Sequence, residues 1–473
     1  MKKKLYIGGE WKEAAEYAEL FSPYSREKIA EIPQAAKHDI EEAIEAADSA
    51  RAEMAALTAY ERAAILEQLV SSFIERKEEA AHIISLESAK PLKYAMAEID
   101  RTIETYKFAA EEAKRLTGEM IPMDAAKGGS GRLAYTLRQP IGVVAAITPF
   151  NFPQNLVAHK IGPAIAAGNT VVLKPASQTP LSAVFLAELL EQTDLPKGAF
   201  NLVTGGGRAV GDVLVESDKV EMITFTGSPA VGKGIRNKAG LKKVALELGS
   251  NAGLLVDEGA DLNTVLEKAV LGAFSNQGQV CISLQRIYVM ESLKEEFLSR
   301  FQAATQKLVI GDPFDPQSDL SAMISTQEQE RAASWVQEAV DAGATLVAGG
   351  NVKDNVFQPT ILADVAADSK VSCQEVFAPV VIVNGIESIE QGISEINNSV
   401  YGLQAGIFTN DIKTAFRASK ELQVGGVLIN DIPTFRVDQM PYGGVKESGN
   451  GKEGLKYAIE EMTEMKLVVW NQS

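Results

Sequence analysis

The spacing of apolar positions divides the chain into a short β-rich start, a helical section, and a long alternation of strands and helices. Residues 5–32 read as short strands and turns, broken at Gly8-Gly9 and at Ser22-Pro23-Tyr24-Ser25. From Asp39 the period becomes helical. Ile40, Ala43, Ile44 and Ala47 share one face, and Glu41, Glu42 and Glu45 the other. Thr58 is placed to cap a second helix with the apolar stripe Ile65, Leu66, Leu69, Val70 and Phe73. A third helix is expected over residues 94–115, ending before Gly118.

The period then shortens. Residues 132–140 alternate polar and apolar and end on Pro140, the pattern of a half-exposed strand. Residues 142–148 form an unbroken β run, as in a strand buried on both faces. Strands at 170–174, 199–203 and 220–225 alternate with helices at 181–192, 210–216 and from Ser228. The alternation restarts after Glu247, with β runs at 253–256, 285–289, 380–383 and 425–430 and a helix at 262–274. Such βαβ order predicts parallel, doubly wound α/β sheets. The β-prone residues 465–470 predict a terminal strand whose open edge suits pairing with another subunit.

A chain of 473 residues implies two or three domains. The formal charge of −17 argues against nucleic acid or an anionic membrane as partner. Two distant cysteines, Cys281 and Cys373, make no disulfide framework, which points to a reducing compartment. No apolar run is long enough to span a bilayer, and the basic start Met1–Lys4 is not followed by a secretory apolar segment. A cytoplasmic location is expected. The three histidines, His38, His82 and His159, lack metal-ligand spacing, so no metal site is expected.

Candidate chemistry falls in six stretches. Gly278 permits a tight turn before Cys281, and Gln277 and Gln279 make that approach polar; the thiol is either a nucleophile or a buried small hydrophobe. A Cys–His dyad would need His159; a carboxylate is the preferred base. Thr148-Pro149-Phe150-Asn151 follows a buried strand, where doubly wound sheets bind ligands, and Asn151 brings an amide donor or serves the turn. Lys174 ends the next strand, as a crevice cation or a snorkelling surface lysine. Gly227-Ser228-Pro229 makes a helix start able to receive phosphate, although Gly234 stands where a P-loop needs Ser or Thr. Glu247, among apolar residues, is a base with a raised pKa or a salt-bridged structural residue. Glu375 and Phe377, two apart, share one face of an extended stretch, for a ribose and a flat ring or as an edge-strand pair.

In this order and spacing, the stretches 148–153, 225–232, 247–249, 278–281 and 375–379 resemble the aldehyde dehydrogenase superfamily over essentially the whole chain. The resemblance implies a Rossmann-like cofactor domain (1–119 and 141–246), an α/β catalytic domain (247–440), and small β oligomerisation segments (120–140 and 455–473) of a homodimer or homotetramer. It implies that Cys281 attacks an aldehyde, that Asn151 helps hold the oxyanion, and that Glu247 activates water. It assigns cofactor contacts to Thr148, Pro149, Lys174, Ser177, Gly211, Gly227, Ser228, Leu248, Glu375 and Phe377. Many NAD-preferring members carry Glu where this chain has Ser177, so NADP is expected to be accepted beside NAD. The chain looks closest to the branch acting on lactaldehyde, glyceraldehyde 3-phosphate and sulfolactaldehyde. Arg436 and Lys107 are expected to attract an anionic substrate tail, with an Arg436–Asp438 salt bridge as the alternative. Rival readings are a CoA-acylating relative and a non-catalytic scaffold.

Overall fold

The structure, a computed structural model, describes residues 1–472. Two seven-stranded sheets form its centre. The first runs in the order Lys243–Glu247, Val220–Thr226, Val143–Ile147, Thr170–Lys174 and Phe200–Leu202, all parallel. It ends in two antiparallel strands from the start of the chain, Leu5–Ile7 and Glu10–Lys12. Val143–Ile147 and Thr170–Lys174 are buried at every position, as unbroken apolar runs require.

The helices covering this sheet follow the apolar stripes. In Lys37–Ala56, Ile40, Ala43, Ile44 and Ala47 are buried. Thr58 caps Ala59–Glu75 reciprocally: its hydroxyl accepts from the Glu61 N–H, and its own N–H donates to the Glu61 carboxylate at 2.7 Å. The expected third helix is the fourth, Leu92–Ala113, because Lys77–Ser88 forms a helix of its own. That helix buries Ala80, Ala81, Ile84, Ser85 and Ser88, a stripe too small and polar to stand out as a period.

The second sheet runs Thr345–Ala348, Thr360–Ala363, Val380–Ile386, Arg286–Met290, Gly253–Val256, Gln404–Phe408 and Gly426–Ile429, parallel except at its first strand. The strands at 345–348, 360–363 and 404–408 lie outside the stretches the pattern singles out. Gln404–Phe408 is wholly buried, yet its Gln and Gly interrupt the β signal. A third sheet pairs Thr463–Asn471 antiparallel with Arg132–Pro140 and adds Met120–Ile121. The terminal strand lies at that sheet's edge and exposes Met465, Leu467, Val469 and Trp470. No helix among the described residues is long and apolar enough to cross a membrane.

Residues 248–252 join the last strand of the first sheet to the first strand of the second. They carry the chain from the carboxyl end of one parallel sheet to the amino end of the other.

Candidate active site

The register of the first sheet levels its carboxyl ends. Ile147 pairs with Lys174 and Phe225, and Thr226 pairs with Glu247. Thr148, Lys174, Gly227 and Glu247 therefore emerge on one rim. The Thr148 N–H donates to Lys174 O at 3.1 Å, which holds Thr148-Pro149 against the next strand. The hydroxyls of Thr148 and Thr226 are buried there without hydrogen-bond partners. Lys174 is buried and donates to Pro175 O at 2.9 Å; desolvation pulls its ammonium down to about 8. Ser177 is exposed and donates to Gly205 O at 3.0 Å. Ser228 stands at the start of helix Pro229–Lys238 without capping it through its side chain, which leaves first-turn N–H groups for an anion. Leu248 packs against Gly232, where a Cβ would meet its side chain at 2.6 Å. Gly211 is buried in helix Gly207–Glu216. Unpartnered hydroxyls, a weakly satisfied cation and an uncapped helix start fit a hydroxyl- and phosphate-bearing cofactor.

Cys281 comes from the opposite side, on the segment leading into the amino end of Arg286–Met290. Helix Leu262–Phe274 passes into a tight turn, Ser275–Gly278, in which Asn276, Gln277 and Gly278 have φ of 49°, 57° and 68°. Left-handed backbone at the two successive non-glycine residues, Asn276 and Gln277, is costly and needs support from around it. Gln277 Nε2 donates to Ala89 O at 3.0 Å, and Asn276 Nδ2 to Asn151 O at 3.2 Å. Gly278 lies so close to its neighbour that a Cβ would meet Ala378 O at 2.1 Å. Asn151 Nδ2 donates to Gln279 O at 2.9 Å, which ties the amide to the backbone two residues before the sulfur. Asn151 Oδ1 is buried without a partner. Cys281 Sγ lies 2.8 Å from the Tyr442 hydroxyl. Burial pushes the thiol up to about 11, and the Tyr442 hydrogen bond opposes that shift.

Glu375 accepts from the Ser250 N–H at 2.9 Å, and burial pushes its carboxyl up to about 7 against that bond. Gly249 makes room for it: a Cβ there would meet Glu375 Oε2 at 2.2 Å. Phe377 has φ of 51°, so the stretch is not extended, and Glu375 and Phe377 do not share a strand face as expected. The turn instead places Phe377 edge-on to Phe150, with ring centroids 5.7 Å apart.

Glu247 is buried, and neither carboxylate oxygen has a hydrogen-bond partner, which excludes the salt-bridged alternative. Desolvation raises it well above the usual carboxylate range, and the nearby charge of Glu453 adds to this. Gly451 leaves space for it, since a Cβ there would meet Glu247 Oε1 at 2.8 Å. Burial opposes the charge of Glu453, but Arg436, His159 and Lys160 outweigh burial and hold it down to about 2. Arg436 donates to Glu453 at 2.7 Å and contacts His159 Nε2 at 2.9 Å, while its Nε is buried without a partner.

The alternative pairing of Arg436 with Asp438 is therefore corrected. Asp438 binds Arg101 at 2.7 Å, His159 at 2.9 Å and Asn155 at 3.2 Å. His159 is engaged by Asp438 and Arg436, so it forms no dyad with Cys281; the sulfur's partner is a phenol and not a carboxylate. Lys107 is not brought to this cluster. Its neighbour Tyr106 is fully buried against Phe73, so Lys107 faces out and pairs with Glu104 at 2.8 Å.

Sequence reasoning passed over Tyr442, Glu453, Lys160, Arg101 and the pair Lys90–Glu98. Lys90 donates to Asn151 O at 2.7 Å and pairs with Glu98, which accepts from the N–H groups of Gln154 and Asn155 at 2.9 and 3.2 Å. Lys160 did leave a signal. It is the one lysine in Asn155–Ala167, a helix apolar nearly all round and buried at every position.

A family model described as the aldehyde dehydrogenase family matches residues 11–468. The chain is 48% identical over 467 residues to a 3-sulfolactaldehyde dehydrogenase of Priestia aryabhattai, covering 99% of this chain and 98% of that one. The fold superposes on aldehyde dehydrogenase 21 from Physcomitrella patens in complex with succinate, with a TM-score of 0.97 and 41% identity, over 100% of this chain and 98% of that one. It also superposes on glyceraldehyde-3-phosphate dehydrogenase GapN from Methanocaldococcus jannaschii complexed with NADP, with a TM-score of 0.93 and 41% identity, over 97% and 100%. The chain belongs to the aldehyde dehydrogenase family, and is an NAD(P)-dependent enzyme oxidising aldehydes.

Proposed function

We propose that the chain oxidises a short aldehyde bearing a hydroxyl or anionic group to its carboxylate, through a covalent adduct on Cys281, and accepts NADP as well as NAD. The observation that carries this is the joint placement of Cys281, the Asn151 amide tied to Gln279, and the unpartnered Glu247. The Cys281 thiolate attacks the carbonyl carbon, and the carbonyl electron pair moves to oxygen. An Asn side chain has two N–H donors, and Gln279 takes one; the other, with the Cys281 backbone N–H, stabilises the oxyanion. The bound nicotinamide supplies the acceptor for the hydride lost from that carbon, leaving a thioester on sulfur. Glu247 then takes a proton from water, which attacks the thioester and releases the acid.

Thr148, Pro149, Gly211, Gly227, Ser228 and Leu248 would contact the cofactor, Ser228 at its pyrophosphate. Lys174 and Glu375 would hold the riboses, Phe377 would support the nicotinamide end, and Ser177 would leave a 2′-phosphate unopposed. Arg436 Nε is the donor left over for a sulfonate, carboxylate, phosphate or hydroxyl oxygen. The relatives act on or bind molecules with such groups: 3-sulfolactaldehyde, succinate and glyceraldehyde 3-phosphate. Residues 1–119 and 141–246 serve as the cofactor domain, 247–440 as the catalytic domain, and 120–140 with 455–473 join copies into a dimer or tetramer, in the cytoplasm.

A panel of short aldehydes, run with both cofactors and followed by reduced nicotinamide, tests the reading. Carboxylate is expected as product with water alone; a requirement for CoA and release of acyl-CoA would overturn hydrolysis. Arg436→Ala is expected to raise the KM of anionic aldehydes by about tenfold or more relative to that of propanal, which has no anionic group. An unchanged KM would remove the assigned role. Ser177→Glu is expected to depress turnover with NADP and spare NAD; equal loss with both would overturn the 2′-phosphate assignment.

A further inference from the structure

Tyr442 is almost fully buried, and among the described residues its hydroxyl has one hydrogen-bond partner, Cys281 Sγ at 2.8 Å. A phenylalanine would fill the same space. A buried phenol is retained at a cost unless its O–H has work to do. Tyr442 is also held rigidly. Its backbone exchanges hydrogen bonds with Glu453 at 3.0 and 2.7 Å, and the Arg436 guanidinium lies over its ring, 3.9 Å from the centroid. That cation makes the phenol a stronger donor, and burial keeps the phenol protonated.

The charged groups acting on the sulfur are Arg436, Glu453 and Glu375. Glu453 largely neutralises Arg436, so no unopposed cation remains to favour the thiolate. We propose that the Tyr442 hydroxyl is a catalytic hydrogen-bond donor to Cys281, stabilising the thiolate form of the sulfur relative to the thiol and aiming it at the substrate carbon. The donor is worth most while the sulfur carries full charge. When the C–S bond forms, the charge leaves for the carbonyl oxygen and the hydrogen bond weakens. The hydroxyl is then freed without a proton transfer. This rests on Cys281 being the nucleophile, and it adds the group that favours its ionised form once the thiol proton has passed to solvent water.

The test reads the thiol directly, without any aldehyde. In a Cys373→Ser background, which leaves Cys281 as the only thiol, the rate of alkylation by iodoacetamide is measured against pH for Tyr442 and Tyr442→Phe. The phenyl ring keeps its place under Arg436. The midpoint of the profile is expected to rise by about one pH unit and the rate at pH 7.5 to fall about tenfold. Replacing Tyr442 by 3-fluorotyrosine, a more acidic phenol of nearly the same size, is expected to shift the midpoint the other way. Profiles that superimpose would overturn the proposal. So would a downward shift in Tyr442→Phe, because the thiol would then be donating to the phenol oxygen. Should Tyr442→Phe not fold, the fluorotyrosine shift decides alone. The nucleophile assignment fails separately, if Cys281→Ser keeps its turnover.

Discussion

The two large sheets meet the same site by opposite ends. The first presents its carboxyl rim, Thr148, Lys174, Gly227 and Glu247, as expected of a doubly wound sheet. The second presents its amino rim: Asn251 precedes Gly253–Val256, Cys281 precedes Arg286–Met290, and Glu375 precedes Val380–Ile386. The short link of residues 248–252 forces this, since it leaves one sheet at a strand's end and enters the other at a strand's beginning. The two rims are built differently. Carboxyl-rim groups stand on strand ends and leave atoms unpartnered: the hydroxyls of Thr148 and Thr226 and both oxygens of Glu247. Amino-rim groups sit on irregular backbone, with left-handed residues at 276–278 and 377, locked by hydrogen bonds from several elements. The first rim holds capacity open for ligands. The second spends its hydrogen bonds on holding one sulfur in place.

Substitutions on the two rims should therefore fail in different ways. The largest effect is expected at Cys281→Ser on the amino rim, with a loss on the order of 10⁴-fold in kcat at unchanged cofactor affinity. Steady-state kinetics beside cofactor fluorescence titration would show it. Next comes Glu247→Gln on the carboxyl rim, with steady-state turnover down about 10²–10⁴-fold while the first burst of reduced cofactor survives. Rapid mixing separates the two phases, and loss of the burst would place Glu247 in the first half-reaction instead.

The same substitution has a stability consequence of defined sign. The folded pKa of Glu247 lies above its ordinary value of 4.5, so the folded state binds more protons than the unfolded state above that pH. Native stability contributed by this group is thus full below pH 4.5 and falls as pH rises through the folded pKa. Glu247→Gln should melt higher than the native chain at neutral pH, and the gap should close toward pH 4.5 in paired thermal scans.

A smaller loss, about 10²-fold in kcat, is expected for Gly278→Ala, because a Cβ there collides with Ala378 O and shifts the turn that carries Cys281. Alkylation of the thiol should slow in parallel, whereas a purely local loss of stability would leave its pH profile in place. Lys107→Ala, outside both rims, should stay within about twofold in KM for anionic aldehydes, because an exposed pair with Glu104 contributes little.

Much of the carboxyl rim was legible in advance. Runs such as Val143–Ile147 announce a buried strand, and the residues just beyond such a strand form a predictable address. The amino rim was legible only through its unusual composition, Gln277-Gly278-Gln279 before Cys281. The expectation that Glu375 and Phe377 share an extended face failed because a local period says nothing about a left-handed turn imposed by packing. Tyr442, Glu453 and Arg101 were missed for a related reason. Each is an ordinary residue in its own segment and acquires meaning only from a partner in another segment: Cys281, Arg436 and Asp438. Arg436 was singled out for an anionic substrate tail, and only the alternative offered for it, a pairing with Asp438, is overturned by its contact with Glu453.

The linear order of residues was enough for much of the secondary structure and the parallel α/β class, because hydrophobic period and turn chemistry are short-range properties, while the thiol, amide and carboxylate were singled out through the family resemblance of their motifs. The folded chain alone decided which charges neutralise one another, which hydroxyl touches the sulfur, and that the second sheet meets the site by its amino rim. Those outcomes depend on pairs in different segments, such as Cys281–Tyr442 and Arg101–Asp438, and no local pattern encodes them.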